Sequence, residues 1–337
     1  MQTEIRRPVV LEPSVGSTPL VRTGAEPPPR SRRAMTAGPD RIFEIVVLSA
    51  SLLISVLAIL LLATIVERGS EALAQFGLGF VTGTTWNPVT KEFGVLPAIY
   101  GTVVTAVLAL ILAVPIGIGA AIFLAELAPR WLAQPVSFLI EMLAAIPSVI
   151  IGLWGLFVVV PVVRQVESFL GHNVGFLPIF SGPAFGIGVL SASVLLAIMV
   201  LPIITAITRD VIRVVPMSQR EAMLALGATQ WETIARVVLP YGRNGIVGAV
   251  ILALGRALGE TLAVSMIIGN TFKISPSIFS PATTLASLIA TQFREADSAI
   301  YLSALMAAAL VLFGITVIVN IMARLLTWRL SAFSSGS

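Results

Sequence analysis

Long apolar runs separated by short polar segments occupy most of the chain. The first run, Ile42–Val66, has about 25 residues, which as a helix would extend roughly 37 Å and cross a hydrocarbon core of about 30 Å. Five further runs follow, at Ala98–Leu127, Val136–Val160, Phe185–Ile207, Gly245–Gly269 and Ile300–Ala323. This pattern predicts an all-α integral membrane protein with six transmembrane helices.

The segments between these runs suggest how the chain is organised. Residues 1–41 are rich in Pro, Arg, Gly and Ser and lack apolar periodicity, which is typical of a disordered tail. The expected order is tail 1–41, anchor helix 42–68, external loop 69–97, a helical core 98–330 with a polar loop at 216–243, and tail 331–337.

Composition supports the membrane assignment and excludes several kinds of site. Of 337 residues, 57% are hydrophobic and only 11% are charged, whereas soluble domains usually have about 25% charged residues. The absence of cysteine rules out disulfides and thiolate ligands, and a single histidine, His172, disfavours a histidine metal site or a catalytic triad. We therefore expect no catalytic residue, no metal and no cofactor.

Basic residues are distributed unevenly between the two sets of loops. One side receives the tail, Arg130, Arg209, Arg213, Arg220, Arg236, Arg243, Arg324 and Arg329, and the other receives Arg68, Lys91, Arg164, Lys273 and Arg294. The positive-inside rule then places both termini in the cytoplasm, with membrane lipid around the spans. Topology also accounts for the net charge of +4, so nucleic acid is not an expected partner.

The polar loop 216–243 shows two helix-start patterns. Ser218–Glu221 and Thr229–Glu232 each match the S/T-x-x-E capping box. Gly227 is suited to end the first helix in a left-handed conformation, and Pro240 is expected to stop the second. Two short helices joined at Gly227 are predicted.

The same loop resembles the EAA signature of binding-protein-dependent ABC importer permeases. The matching positions are Glu221, Ala222, Gly227, Leu239 and Pro240, with Met223 and Val237 as conservative departures. The resemblance implies a coupling helix that docks on a separate ATPase subunit. A plain helical loop folded against the membrane is the alternative. Neither lysine of the chain follows a glycine, so the phosphate-binding loop of an ATPase is absent from this sequence.

Four other stretches resemble the C-type permease of phosphate-specific ABC transporters. They are Ala113–Pro129, Leu143–Ser148, Gly152–Pro161 and Gly255–Asn270. The resemblance implies the MetI-like type I importer fold and import of inorganic phosphate. It also implies a heterodimer with a homologous A-type permease, two copies of an ATP-binding subunit and an extracytoplasmic phosphate-binding protein.

Arg256 and Glu260 interrupt the fifth apolar run. A charge at this depth costs at least about 2.5–3.5 kcal/mol on insertion scales, so each requires a partner or a function. Their i,i+4 spacing predicts a pair on one helix face, and Gly255 and Gly259 beside it permit close approach of another helix.

Two interpretations of the pair remain open. It is either a structural lock between helices or an anion gate in which the planar guanidinium binds phosphate. The resemblance favours the gate, because the corresponding pair in phosphate permeases is implicated in translocation. For the whole chain, the rival functions are a permease for molybdate or sulfate, a secondary transporter without an ATPase, and a non-transporting membrane scaffold.

Overall fold

The computed structural model describes the backbone of residues 39–332 and the side chains of residues 41–325. The predicted disordered tail 1–41 lies almost wholly outside the described residues, and residues 333–337 of the predicted C-terminal tail do as well. Packing contacts divide the chain after Leu60. The packed helices and the clusters between them lie in the second part, from Leu61 onwards.

Helices account for most of the described chain. The α-helices are α1 (Pro39–Phe76), α2 (Leu78–Thr82), α3 (Leu96–Ile122), α4 (Arg130–Ala144), α5 (Ser148–Trp154), α6 (Val160–Val174), α7 (Val189–Arg213), α8 (Met217–Ala225), α9 (Gln230–Thr233), α10 (Leu239–Gly259), α11 (Leu262–Ile267), α12 (Leu285–Gln292) and α13 (Ala299–Ala332). Three π-helical turns, at Phe123–Leu127, Gly155–Val159 and Ile234–Val238, and a 3-10 turn at Pro178–Phe180 complete them. Two short antiparallel strands, β1 (Trp86–Asn87) and β2 (Glu92–Phe93), form a small hairpin.

Among the described residues, six helical stretches are long and apolar enough to cross a membrane, which confirms the predicted number. They are Arg41–Phe76, Leu96–Leu127, Ser148–Val174, Val189–Arg213, Gln230–Gly259 and Ala299–Leu325. The bounds predicted for the third and fifth spans are wrong. Pro147 is extended, with ψ at 135°, and separates α4 from the true third span because a proline ring disfavours helix in the preceding residue. The fifth span begins earlier and ends earlier than predicted.

Small residues let α3, α7 and α10 pack closely at the centre of the fold. Ala109 and Ala113 of α3, Val200 of α7, and Ala253 and Ala257 of α10 belong to one buried cluster. Where alanine occupies the contact, the helix backbones can approach one another, as is common in membrane bundles. This packing fixes which face of α10 is buried and which remains open.

The two ends of the bundle are distinct. The loop end carries α8 and α9, and the far end carries the hairpin, whose Phe93 packs at 5.3 Å from the ring of Tyr301. Ala98, at the start of α3, lies in the same cluster as Tyr301, at the start of α13. Both helices therefore begin at the far end and run towards the loop end.

Candidate functional site

The polar loop folds as two helices, α8 and α9, joined through Gly227, as predicted. Gly227 has φ of +82°, the left-handed conformation that ends α8 and that glycine adopts without steric cost. The predicted cap at Ser218 is wrong. Pro216 occupies the N-cap of α8, and no side chain caps that helix, because the rigid proline already directs the chain into it.

Thr229 caps α9, as predicted. Its side chain accepts a hydrogen bond from the backbone N–H of Glu232, whose carboxylate accepts in turn from the backbone N–H of Thr229 at 2.9 Å. The predicted stop at Pro240 is wrong, because the helix continues through the π-turn Ile234–Val238 into α10. A π-turn widens the helix before the proline, where a regular turn would clash with its ring.

Apolar side chains project from this loop without cover in the described chain. Leu226 is 82% exposed and Trp231 64% exposed, and Met217 and Leu224 are also exposed. We call these four residues the docking surface. The signature residues Glu221, Ala222 and Gly227 are exposed beside it, while Leu239 is half-buried and Pro240 exposed at the start of α10. Several large apolar side chains exposed within one short loop are typical of a protein interface.

A nearly buried ion pair ties this loop to the end of α3. Arg220 of α8 donates from Nη2 to Glu126 Oε1 at 2.7 Å, and the two side chains are 14% and 12% exposed. The same guanidinium donates to the carbonyls of Ile212 and Val215, and the side chain of Gln230 donates to the carbonyl of Glu126. Sequence reasoning missed this pair, since Arg220 was counted only as a loop charge. An isolated carboxylate at the end of an apolar run was the signal available.

The predicted pairing of Arg256 with Glu260 does not occur in this structure. α10 ends at Gly259, and Glu260 has extended backbone, with ψ at 127°. The i,i+4 argument assumed one continuous helix, and the break turns Glu260 away from that register. Among the described residues, no carboxylate lies within 4.0 Å of the Arg256 guanidinium, and no cation within 4.0 Å of Glu260.

Gly255 and Gly259 do not pack against a helix of the described chain. A Cβ built on either would meet no atom within 4 Å. Both lie on the face of α10 opposite the buried Ala253 and Ala257. Close approach of a helix at these glycines remains a prediction that concerns another subunit.

This open face of α10 borders a cleft of about 1160 Å³, whose other main wall is α13. The polar residues of its lining are Asn244, Arg256, Asn320 and Arg324, and the remaining lining residues are aliphatic or glycine. The cleft can hold water, and its described lining contains two arginines and no carboxylate, so it suits an anion. Within the described residues, no group of three or more His, Cys, Asp or Glu is placed to hold a metal ion.

Solved structures support the fold. One similar structure is a permease chain in the crystal structure of a bacterial alginate ABC transporter in complex with alginate pentasaccharide-bound periplasmic protein. The match has a TM-score of 0.54 and 19% identity, and it covers 87% of this chain and 98% of that chain. The chain also covers 97% of a chain of the inward-facing MetNI methionine ABC transporter, with a TM-score of 0.50, 17% identity and 73% of this chain covered. At these identities the likeness concerns the type I importer fold alone.

Sequence relatives are far more similar. The phosphate transport system permease protein PstC of Mesorhizobium japonicum is 46% identical over 93% of this chain and 96% of its own length. PstC of Haemophilus influenzae is 47% identical over 83% of this chain and 90% of its own, and PstC 2 of Mycobacterium tuberculosis is 40% identical over 85% and 90%.

The family model for binding-protein-dependent transport system inner membrane components matches residues 113–332, which include the loop of α8 and α9, the break after α10 and most of α13. Together with the length over which the PstC relatives align, this match makes the chain a multi-pass inner membrane protein of the ABC importer permease family, and within that family it belongs to the PstC permeases.

Proposed function

We propose that the chain is the membrane subunit through which an ATP-driven importer carries inorganic phosphate into the bacterial cytoplasm. Its relatives at 46% and 47% identity are named for phosphate transport. The structural observation that carries the proposal is Arg256, which lines the cleft between α10 and α13 and has no carboxylate partner among the described residues. A guanidinium left open in this way can bind an oxyanion through parallel N–H donors.

The subunit works within a larger assembly. We propose that a homologous A-type permease packs against Gly255 and Gly259 and closes the cleft, and that two copies of an ATP-binding subunit engage the two permeases through their loops. The docking surface supplies the contact on this chain. In this arrangement the loop end and both termini are cytoplasmic, and a phosphate-binding protein delivers the anion at the far end.

Arg256 and Glu260 have different roles in the proposed gate. Arg256 attracts the anion, while Glu260, just beyond the helix break, limits how tightly it is held or closes the path in another state. The direct test is Arg256→Gln. We expect loss of phosphate uptake while the assembled complex still hydrolyses ATP. Normal uptake by a fully assembled Arg256→Gln complex would contradict an anion gate at this residue.

Competition identifies the substrate. Uptake of radiolabelled phosphate is measured in vesicles that contain the complete complex, with arsenate, sulfate or molybdate in excess. Arsenate resembles phosphate in shape and charge, so we expect arsenate alone to inhibit. Inhibition by sulfate or molybdate without inhibition by arsenate would assign the chain to another oxyanion.

A further inference from the structure

The cleft between α10 and α13 contains a second arginine, Arg324, one turn along α13 from Asn320. Arg324, like Arg256, has no carboxylate within 4.0 Å among the described residues. Neither guanidinium has a neutralising carboxylate beside it in the described chain. An anion beside either one is therefore favourable.

The direction of the helices orders the polar residues along the cleft. α13 runs from the far end to the loop end, because its start packs with the start of α3. α10 runs the opposite way, since Gly245 near its start lies against Val211 near the end of α7. Asn244 lies 12 residues before Arg256 on α10, or about 18 Å along the axis. Arg324 and Asn244 therefore lie nearer the loop end than Arg256.

We propose that Arg324 and Asn244 form a second oxyanion site beside Asn320, which inorganic phosphate occupies after it leaves Arg256 and before it reaches water at the loop end. The inference rests on the proposed function. A single deep guanidinium would hold the anion and delay its release. A second site along the path offers the anion replacement hydrogen bonds, and multiple weak sites are a general way to combine entry with release.

An arginine near a helix end often only anchors the helix in the lipid headgroups. On α13, Ile318 and Met322 are exposed and do not line the cleft. Arg324 instead lines the same cleft as Arg256. A lipid phosphate is the other source of an oxyanion at this position, and the experiment below distinguishes the two.

The chain has no cysteine, so a single introduced thiol reports on the cleft directly. The substitution Asn320→Cys is placed in the complete complex, whose partner subunits are made cysteine-free. The complex is studied in vesicles of neutral lipid and, in parallel, in vesicles that contain anionic lipid. The rate of reaction with a negatively charged, membrane-impermeant thiosulfonate is measured with access at the loop end. Inorganic phosphate is then compared with chloride at equal ionic strength. Ile318→Cys, two residues away and outside the cleft, is the matched control.

We expect Cys at position 320 to react and phosphate to slow that reaction at least about fivefold, a typical size for energetic coupling between ligands. Adding Arg324→Gln should remove the protection, and Arg324→Lys should retain part of it. The Ile318→Cys control should show no protection. Absence of reaction at position 320, or protection that survives Arg324→Gln, would overturn the proposal. Protection that follows the content of anionic lipid and ignores phosphate would assign the arginine to a lipid headgroup and overturn it as well.

Uptake by the same vesicles separates this inference from the proposed function. The complex without substitutions should accumulate phosphate, and Arg324→Gln should slow uptake with ATP hydrolysis retained. Arg130→Gln, which removes a loop-side charge outside the cleft, should transport normally. If the unsubstituted complex transports phosphate but position 320 shows no protection, the second site is wrong and the transport function stands. If it transports no phosphate at all, the proposed function fails.

Discussion

Gly227 is the residue on which the geometry of the docking surface depends most directly. Its φ of +82° is left-handed, and space around a Cβ at this position is empty within 4 Å. The cost of Gly227→Ala is therefore one of backbone strain, about 1–2 kcal/mol for an L-residue in this conformation. We expect Gly227→Ala to weaken co-purification of the ATP-binding subunit and to lower phosphate uptake.

Asparagine supplies the matched control for Gly227, because it tolerates the left-handed conformation better than alanine does. Gly227→Asn should retain more bound ATPase subunit than Gly227→Ala, although its side chain is larger. If alanine and asparagine were equally harmful, or if the smaller alanine were harmless, the left-handed turn would not be what positions α8 against α9.

At Gly101 on α3, lack of space and not backbone conformation prevents a larger residue. A Cβ there would lie 2.0 Å from the backbone oxygen of Thr283, whereas a Cβ at Gly119 on the same helix would meet no atom within 4 Å. Overpacking of this kind typically costs about 1–3 kcal/mol. We expect Gly101→Ala to lower the unfolding temperature of the solubilised complex and Gly119→Ala to leave it unchanged or raise it. Equal effects of the two would contradict the close contact of α3 with Thr283.

Local sequence rules predicted single residues well where the cause is local. The left-handed Gly227 and the Thr229 cap follow from the immediate sequence, and both were confirmed. The pairing of Arg256 with Glu260 depended on a helix continuing past Gly259, and no nearby proline marks the break. Sequence spacing shows that two residues share a helix face only when the ends of the helix are known.

The ion pair Glu126–Arg220 joins elements that must move together if α8 transmits a change from an ATPase. It connects α8 to the π-turn after α3, and backbone carbonyls at the end of α7 bind the same arginine. A buried ion pair adds little net stability over apolar packing, but removal of one partner leaves an uncompensated charge. The pair therefore specifies how α8 is held relative to α3 and α7.

We expect Glu126→Gln to lower phosphate uptake per ATP hydrolysed about fivefold or more, since coupling between sites is typically of that size. The ATP-binding subunit should remain bound, because the docking surface is intact. The double exchange Glu126→Arg with Arg220→Glu should not restore the coupling, because a carboxylate at position 220 cannot donate to the carbonyls of Ile212 and Val215. The measurement is the ratio of phosphate uptake to ATP hydrolysis in vesicles that contain the complete complex.

The bridge between Arg209 and Glu141 provides the control for this pair. It joins α7 to α4 at 2.9 Å, with the Arg209 side chain 7% and the Glu141 side chain 52% exposed. Arg209 also pairs with Asp210 at 2.8 Å, so loss of the Glu141 charge leaves the buried guanidinium with a partner. Glu141→Gln should leave the ratio of uptake to hydrolysis near that of the unsubstituted complex. If both glutamine variants lowered the ratio equally, Glu126 would have no special part in coupling.

At the scale of elements, hydropathy predicted the number of spans but not all their bounds. Apolar content alone extended the third span back across Pro147 and merged the end of α4 with α5. At Pro240 the opposite error occurred: a helix end was predicted where the helix continues. A π-turn accommodates the proline inside a continuous helix. Proline shows where a helix is disturbed, and the surrounding packing decides whether it ends there.

The whole molecule is incomplete as a transport path when described alone. The cleft is open along α10, the two glycines on that face have no packing neighbour in the described chain, and the docking surface is uncovered. Hydropathy and loop charge carry no information about surfaces that another subunit covers. The resemblance of the loop 216–243 to the EAA signature supplied that expectation, and the exposure of Leu226 and Trp231 is consistent with it.

Phosphate uptake should depend wholly on the ATP-binding subunit, because this chain has no phosphate-binding loop of its own. We expect vesicles with both permeases but no ATP-binding subunit to accumulate no labelled phosphate above vesicles without protein. The complete complex should accumulate it only with ATP on the loop side. An ATPase subunit that lacks its phosphate-binding lysine is the matched control, since it preserves assembly and removes hydrolysis. Uptake that persisted without the ATPase, or that followed an ion gradient in its place, would mean that the cleft works as a secondary transporter and that the docking surface serves another partner.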